Sequence, residues 1–335
     1  MKRPWLLAFL LAACGGEAPP ADAPSQGPPP PPPATMVELV GEYAAGPDTL
    51  SLLERDGALW IAPWGGREER LVHDAGDLWM ADSSDAPVRA VRTEGAVTGL
   101  TVSGAAYDRI TLGGVGGEPF RITPLRPAEE LRAEALAASP PAEEGDLLPS
   151  DLVELVSLDA TLRLDIRYAG SDNFMGEVFY SEPRAFLQRP AAEALVRAHE
   201  WLGERGYGLL IHDGYRPWYV TRMFWDATPE ALREFVADPT EGSRHNRGCA
   251  VDLTLYDLAT GEPVEMPGGY DEFSRRSYPD YPGGTSRQRW HRELLRQAME
   301  AQGFTVYEAE WWHFDHADWR RYALGNQRFE ELGSP

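Results

Sequence analysis

Residues 242–256 read GSRHNRGCAVDLTLY. The stretch sets His245 and Asp252 on either side of Gly248, then runs into an apolar, β-branched segment that predicts a strand. A second stretch, EWWHF at 310–314, carries Glu310 and His313. Two imidazoles and one carboxylate make three of the four ligands of a tetrahedral zinc, with the fourth position open as in a hydrolytic site. Glu310, three residues before a ligand, is then free to act as a base. Each piece alone has a plainer reading. A histidine beside a short strand is usually a satisfied structural residue, and Glu-x-x-His alone says little. There is no His-Glu-x-x-His, which excludes a helix-borne zinc site of that kind.

Working outward, residues 208–212 predict a short apolar strand that leads into DGYRP at 213–217. Gly214 and Pro217 fix a tight turn and aim Arg216 at one place; the plainer reading of Arg216 is a solvated charge or a structural ion pair. Pro190 opens a helix with the stripe Ala191, Ala194, Leu195, Ala198 and Leu202, stopped by Gly206. Residues 287–302 predict another, with Trp290, Leu294, Leu295, Ala298 and Met299 inward and Gly303 as its stop. Residues 228–236 look helical. Leu162, Leu164 and Ile166 share one face of a strand, 168–176 is a loop, and 304–307 is a strand. Short strands interspersed with helices predict an α+β fold with an antiparallel sheet.

The pattern S-x-H-x-x-G-x-A-x-D from Ser243 to Asp252, followed by EWWH, resembles the zinc D-alanyl-D-alanine dipeptidases, the family that includes the vancomycin-resistance dipeptidase. The resemblance covers 149–335. It implies the fold of the D-Ala-D-Ala peptidases and of the hedgehog and lysostaphin-type zinc domains. It implies one zinc per chain on His245, Asp252 and His313, Glu310 as general base and then acid, and Arg216 as the arginine that holds the scissile carbonyl. By the same resemblance Tyr168 and Ser243 help hold a dipeptide, and Asp271, in YDEF, receives its free ammonium. Three alternatives stay open: Glu310 as a carboxylate that orients a ligand, His316 as a ligand through His-x-x-His, and Cys249 as a thiolate ligand. The interval between Arg216 and His245 is shorter than in the best-known member of the family, which reduces a lid or pocket wall and loosens selectivity for dipeptides.

The front of the chain is different in kind. A length of 335 residues suggests two domains. A formal net charge of −22 argues against nucleic acid and against a polybasic membrane patch. Lys2 and Arg3 precede an apolar run, 5–13, too short to span a bilayer. It ends in LAACG at 11–15, which resembles the lipobox of bacterial lipoproteins with Cys14 as the lipidated residue; the alternative is an ordinary secretory signal. Residues 15–35 are a Pro-rich tether. Residues 36–124 predict a small all-β domain, an antiparallel sheet or open barrel, with strands at 49–53, 58–62, 88–91, 97–102 and 107–112 and turns at Asp56-Gly57 and Glu94-Gly95. His73-Asp74 reads as a loop, and Trp60, Trp64 and Trp79 as core. Residues 125–148 read as a linker with a helix.

Together these predict an envelope lipoprotein held on a membrane by lipid chains, carrying a zinc D,D-dipeptidase for turnover or scavenging of cell-wall peptides. Its partners are a small D,D-dipeptide, the membrane and peptidoglycan, with no nucleic acid. The alternatives are a peptidoglycan D,D- or L,D-carboxypeptidase or endopeptidase, and a non-catalytic wall-binding lipoprotein.

Overall fold

The structure, a computed structural model, describes residues 27–111, 120–272 and 274–333. Cys14 lies outside them. No described helix is long and apolar enough to cross a membrane.

After a short helix α1 (Ala34–Val37), eight strands follow: β1 (Gly41–Ala45), β2 (Asp48–Arg55), β3 (Ala58–Pro63), β4 (Glu69–Ala75), β5 (Leu78–Ala81), β6 (Pro87–Thr93), β7 (Ala96–Val102) and β8 (Ala105–Arg109). They close into an antiparallel barrel, β8 returning to β1. Three of its hairpins turn on Asp56-Gly57, Glu94-Gly95 and Ser103-Gly104, each pair with both φ positive. That backbone matches the twist of the flanking strands. Tyr43, Leu50, Leu52, Leu59, Val88 and Leu100 fill the interior. Strand β6 alternates buried and exposed as a one-sided strand should. In β2, by contrast, residues 50–54 are buried without a break. One face of β2 lines the barrel and the other meets the rest of the chain.

Three readings of this region are corrected. His73 and Asp74 lie in strand β4, not in a loop. Only Leu71 of that strand is buried, so it lacks the alternation that marks strands in sequence. Trp64 is exposed rather than in the core. Residues 125–148 are more than a linker: helix α2 (Ala128–Ala137) packs on a later helix, and Ala128, Leu131 and Ala135 join the core of the C-terminal unit, as does Ile122 from the end of the span read as β domain. Burying a side chain such as Leu131 contributes about 1.5–3 kcal/mol, enough to dock a helix that has no side-chain cap.

The C-terminal unit contains β9 (Leu152–Glu154), α3 (Leu155–Leu158), β10 (Arg163–Leu164), β11 (Phe186–Gln188), α4 (Arg189–Gly203), β12 (Tyr207–Asp213), α5 (Trp218–Ala227), β13 (Ala250–Asp257), α6 (Ser286–Glu300), β14 (Phe304–Tyr307) and β15 (Glu310–His316). The main sheet runs β10-β12-β13-β15-β14, antiparallel except for the parallel pair β10–β12; β9 and β11 form a separate ribbon. Strand β12 is buried along its whole length and β13 over all but its last residue. The interval 228–236 forms a 3-10 turn over Glu230–Phe235 rather than an α-helix. Helix α5 packs against α2.

Candidate active site

Register brings the ligands together. Asp252 of β13 pairs directly with His313 of β15. Side chains opposite each other on one face of an antiparallel pair stand about 5 Å apart at Cβ. His245 arrives on a 3-10 turn, Arg244–Arg247, whose N-cap Ser243 accepts from the His245 N–H and is bonded in return by Asn246. Gly248 ends that turn with φ +69, and a Cβ there would sit 2.5 Å from Leu152 Cδ2. Only glycine meets both demands.

The three donor atoms form a tight triangle. His245 Nε2 lies 3.1 Å from His313 Nδ1 and 3.3 Å from Asp252 Oδ1, and His313 Nδ1 lies 3.0 Å from the same oxygen. A tetrahedral ion with ligands at about 2.0–2.1 Å spaces its donors about 3.3 Å apart, so the triangle is the face such an ion requires. Asp252 Oδ1 is buried without a well-directed hydrogen-bond partner despite these near neighbours. The three atoms lie close enough together to share one ion.

Every ligand is held from behind, as metal ligands are. His245 Nδ1 donates to the Gly214 carbonyl at 2.8 Å. His313 Nε2 donates to Asp315 Oδ1 at 3.0 Å. Asp252 Oδ2 accepts from the Tyr270 hydroxyl at 3.1 Å. Asp315 is in turn bound by Arg244. Burial opposes ionisation of Asp252, yet His245 and His313 hold its carboxyl well below the usual carboxylate range. Burial likewise opposes a charged His313, but Asp252 and Asp315 outweigh it and push the imidazole up to about 10. The cluster is built around positive charge, and a divalent cation would take the place of that proton.

Glu310 stands outside the triangle, with Oε2 3.7 Å from His313 Nδ1. Burial raises its carboxyl above the usual range against the opposing pull of His313, and Asp252 adds to the rise. That is the direction wanted in a group that must both take and return a proton.

Arg216 is aimed as the turn predicts. Its Nε and Nη2 donate to Asp213 Oδ2 at 3.0 and 2.7 Å, while Asp213 Oδ1 accepts from the Tyr180 hydroxyl at 2.6 Å and the Gly214 N–H at 2.9 Å. Burial alone would lower the guanidinium's pKa; the fully buried Asp213 carboxylate outweighs it. Asp271 is buried with φ +53, and its Oδ2 accepts from the Tyr168 hydroxyl at 2.9 Å. Burial, reinforced by the charge of Asp252, raises its carboxyl well above the usual range. A carboxylate placed there asks for a cationic partner.

All eight candidates in this unit, Tyr168, Arg216, Ser243, His245, Asp252, Asp271, Glu310 and His313, line one cavity of about 320 Å³. Phe235, Val236 and Ala237, from the shortened interval, line it too. The metal-ligand cluster does not include the two rival ligands. His316 caps the following 3-10 turn, and Cys249 is fully buried, its thiol pushed up to about 12 by that burial. Asp315, Asp213, Tyr270 and Tyr180 went unremarked in the sequence. Asp315 was findable, since a His-x-Asp pair on a strand shares one face. Asp213 was findable inside DGYRP. Tyr180 carries no local signal.

The family described as D-ala-D-ala dipeptidase, peptidase M15, matches residues 149–333. A D-alanyl-D-alanine dipeptidase of Escherichia coli (strain K12) is 34% identical over 186 residues, 56% of this chain and 95% of that relative. One of Enterococcus faecium is 39% identical over 171 residues, 46% of this chain and 85% of the relative. One of Streptomyces coelicolor is 35% identical over 185 residues, 50% of this chain and 92% of the relative.

Proposed function

Because the chain belongs to the D-Ala-D-Ala dipeptidase family of M15 peptidases, we propose that it hydrolyses the peptide bond of D-Ala-D-Ala with one zinc ion on His245, Asp252 and His313. The observation that carries this reading is the triangle of ligand atoms with Glu310, Arg216 and Asp271 on the walls of the same cavity. Imidazole and carboxylate donors suit zinc among the available metals. When bound, the ion supplies a Lewis acid and lowers the pKa of water toward neutrality.

The side chains do the rest. Glu310 takes the proton of the attacking water and hands it to the leaving amine as the carbon–nitrogen bond breaks. Arg216 meets the carbonyl oxygen as it gains charge. Its own freedom is removed beforehand by Asp213 and Tyr180. Asp271 receives the free ammonium of the dipeptide, and Tyr168 orients that carboxylate. A longer peptide acylated at this nitrogen would leave Asp271 facing no charge, which disfavours it. Ser243 lines the cavity with its oxygen already engaged as a cap, so its hydroxyl proton remains for substrate.

The setting follows from the front of the chain. The lipobox-like ending at Cys14 and the Pro-rich tether support a lipid-anchored protein of the cell envelope, where hydrolysis serves turnover or scavenging of wall peptides.

The test is hydrolysis of D-Ala-D-Ala, L-Ala-L-Ala and a muropeptide, each with and without chelator. Turnover of the D,D-dipeptide that is lost on chelation and restored by zinc is the expected result. Preference for the muropeptide, or activity indifferent to chelation, would reject the reading.

A further inference from the structure

The barrel touches the start of α6 and the end of the loop before it, and that loop carries Asp271. Between β13 and α6 the chain runs 28 residues (258 to 285), whose described residues hold one 3-10 turn, Arg275–Ser277, and an isolated bridge at Pro263. Loops of that length inside a compact unit are uncommon and usually functional. One side of this loop lines the active-site cavity through Asp271, Ser274, Ser277 and Tyr278. The other side meets the barrel.

The contact is specific. Glu54 of β2 is 3% exposed and takes two backbone N–H groups, Gly57 at 2.7 Å within the barrel and Ser286 at 2.8 Å at the first turn of α6. Its own N–H donates to the Gly284 carbonyl at 3.1 Å. Arg289 of α6 donates to the Glu54 carbonyl at 2.8 Å and, with its other arm, to the carbonyls of Pro282, Gly283 and Gly284 at 3.0–3.2 Å. Tyr281, 4% exposed, sits against Glu42 and Ser51 of the barrel. This explains why β2 is buried on both faces. A buried carboxylate that accepts two main-chain N–H groups makes strong, charge-assisted bonds with little freedom.

Nearer Asp271, the ring of Trp64, just past β3, lies against the Arg275 guanidinium. Glu272, next to Asp271, accepts from the Gly269 N–H at 2.9 Å and from Arg276 Nε at 2.6 Å, and also from Ser274. Asp271 itself holds a left-handed backbone conformation, φ +53. Such a residue keeps that conformation only where its surroundings over-determine it. The family match begins at residue 149, beyond the barrel, and an alignment of 186 residues takes up 95% of the Escherichia coli relative. The buttress therefore belongs to this chain and not to that relative.

We infer that the barrel is a built-in buttress of the active site, with Glu54 as a positioning residue that fixes the loop presenting Asp271 and so sets selectivity for a free ammonium. This rests on the dipeptidase reading.

The test uses the full-length, zinc-loaded protein with Glu54→Ala and the conservative Glu54→Gln. Glu54→Ala should raise KM for D-Ala-D-Ala about tenfold with kcat within about twofold and zinc content unchanged. Glu54→Gln, which keeps one acceptor, should fall between. The kcat/KM for N-acetyl-D-Ala-D-Ala should not move, so the preference for the free amine narrows. In an Asp271→Ala background, Glu54→Ala should add no further rise in KM, since both changes remove one interaction. A wild-type KM in folded Glu54→Ala, or a KM rise that multiplies with that of Asp271→Ala, would overturn the inference. Hydrogen exchange of residues 268–284 should quicken in either Glu54 variant whether or not the dipeptide is cleaved. Unchanged exchange would also overturn it. A wild type that leaves D-Ala-D-Ala intact while the loop still loosens in the variants would reject only the dipeptidase reading.

Discussion

Inside the barrel, Tyr43, Leu52, Leu59, Val88 and Leu100 pack against one another. The C-terminal unit buries Asp213, Arg216, His245, Asp252, Asp271 and His313 beside an apolar core of its own. The barrel's buried acids, Glu42 and Glu54, lie where it meets the other unit. A buried charge costs several kcal/mol unless paired. It therefore marks a place where the molecule does something other than pack: a reaction centre in one unit, a docking face in the other.

That contrast predicts which substitutions cost chemistry and which cost stability. Glu310→Gln should lower kcat about 10³- to 10⁴-fold while metal analysis finds the ion retained, because the lost group moves a proton and holds nothing in place. Near-normal turnover would remove Glu310 from the mechanism. Arg216→Lys should lower kcat about 10²- to 10³-fold, since an ammonium offers no planar fork to share between Asp213 and a carbonyl oxygen. Steady-state kinetics with a thermal melt separates this from unfolding. Asp271→Ala should raise KM about tenfold with metal content unchanged; an unchanged KM would discard its role.

On the other side of the contrast, Leu100→Ala in the barrel interior should cost about 3 kcal/mol by denaturant titration and leave metal content alone. Loss of the metal in that variant would blur the division between the two units.

The smallest effect concerns His291 on α6, 4% exposed between Tyr207 and the Glu265 carbonyl. Burial pushes its imidazole down from 6.5 to about 4. The unfolded chain takes that proton first as pH falls. The stability it contributes is thus complete above about pH 6.5 and lost on the way down to pH 4, about 3 kcal/mol by pH 4.5. Equilibrium unfolding of His291→Gln across that range should show a shallower acid limb than the wild type.

Much of this was legible in one dimension. His245, Asp252, Glu310 and His313 announce themselves because metal-ligand chemistry restricts residue type and spacing, and strands carry the neighbours of Asp252 and His313 in fixed alternation. Helices α4 and α6 are legible from their apolar stripes, and the hairpins of the barrel from Asp56-Gly57 and Glu94-Gly95. The failures have physical causes. Strand β4 buries one residue, so no period survives in its sequence. Helix α2 is expected as a helix but not as part of the core, because its stripe is weak and only Ala128, Leu131 and Ala135 are buried. Tyr180, far along the chain from Asp213, carries no local mark of the hydrogen bond it makes.

Residue types and spacings, then, determined the chemistry on offer: which side chains could hold a cation, which could move a proton, and which units are sheet or helix. Only the folded chain decided that Tyr270 and Gly214 stand behind the ligands, and that Glu54 reaches across to the first turn of α6. Those contacts join residues with no shared periodicity. They arise from strand register and from the meeting of two separately folded surfaces, and neither is written in any local stretch of sequence.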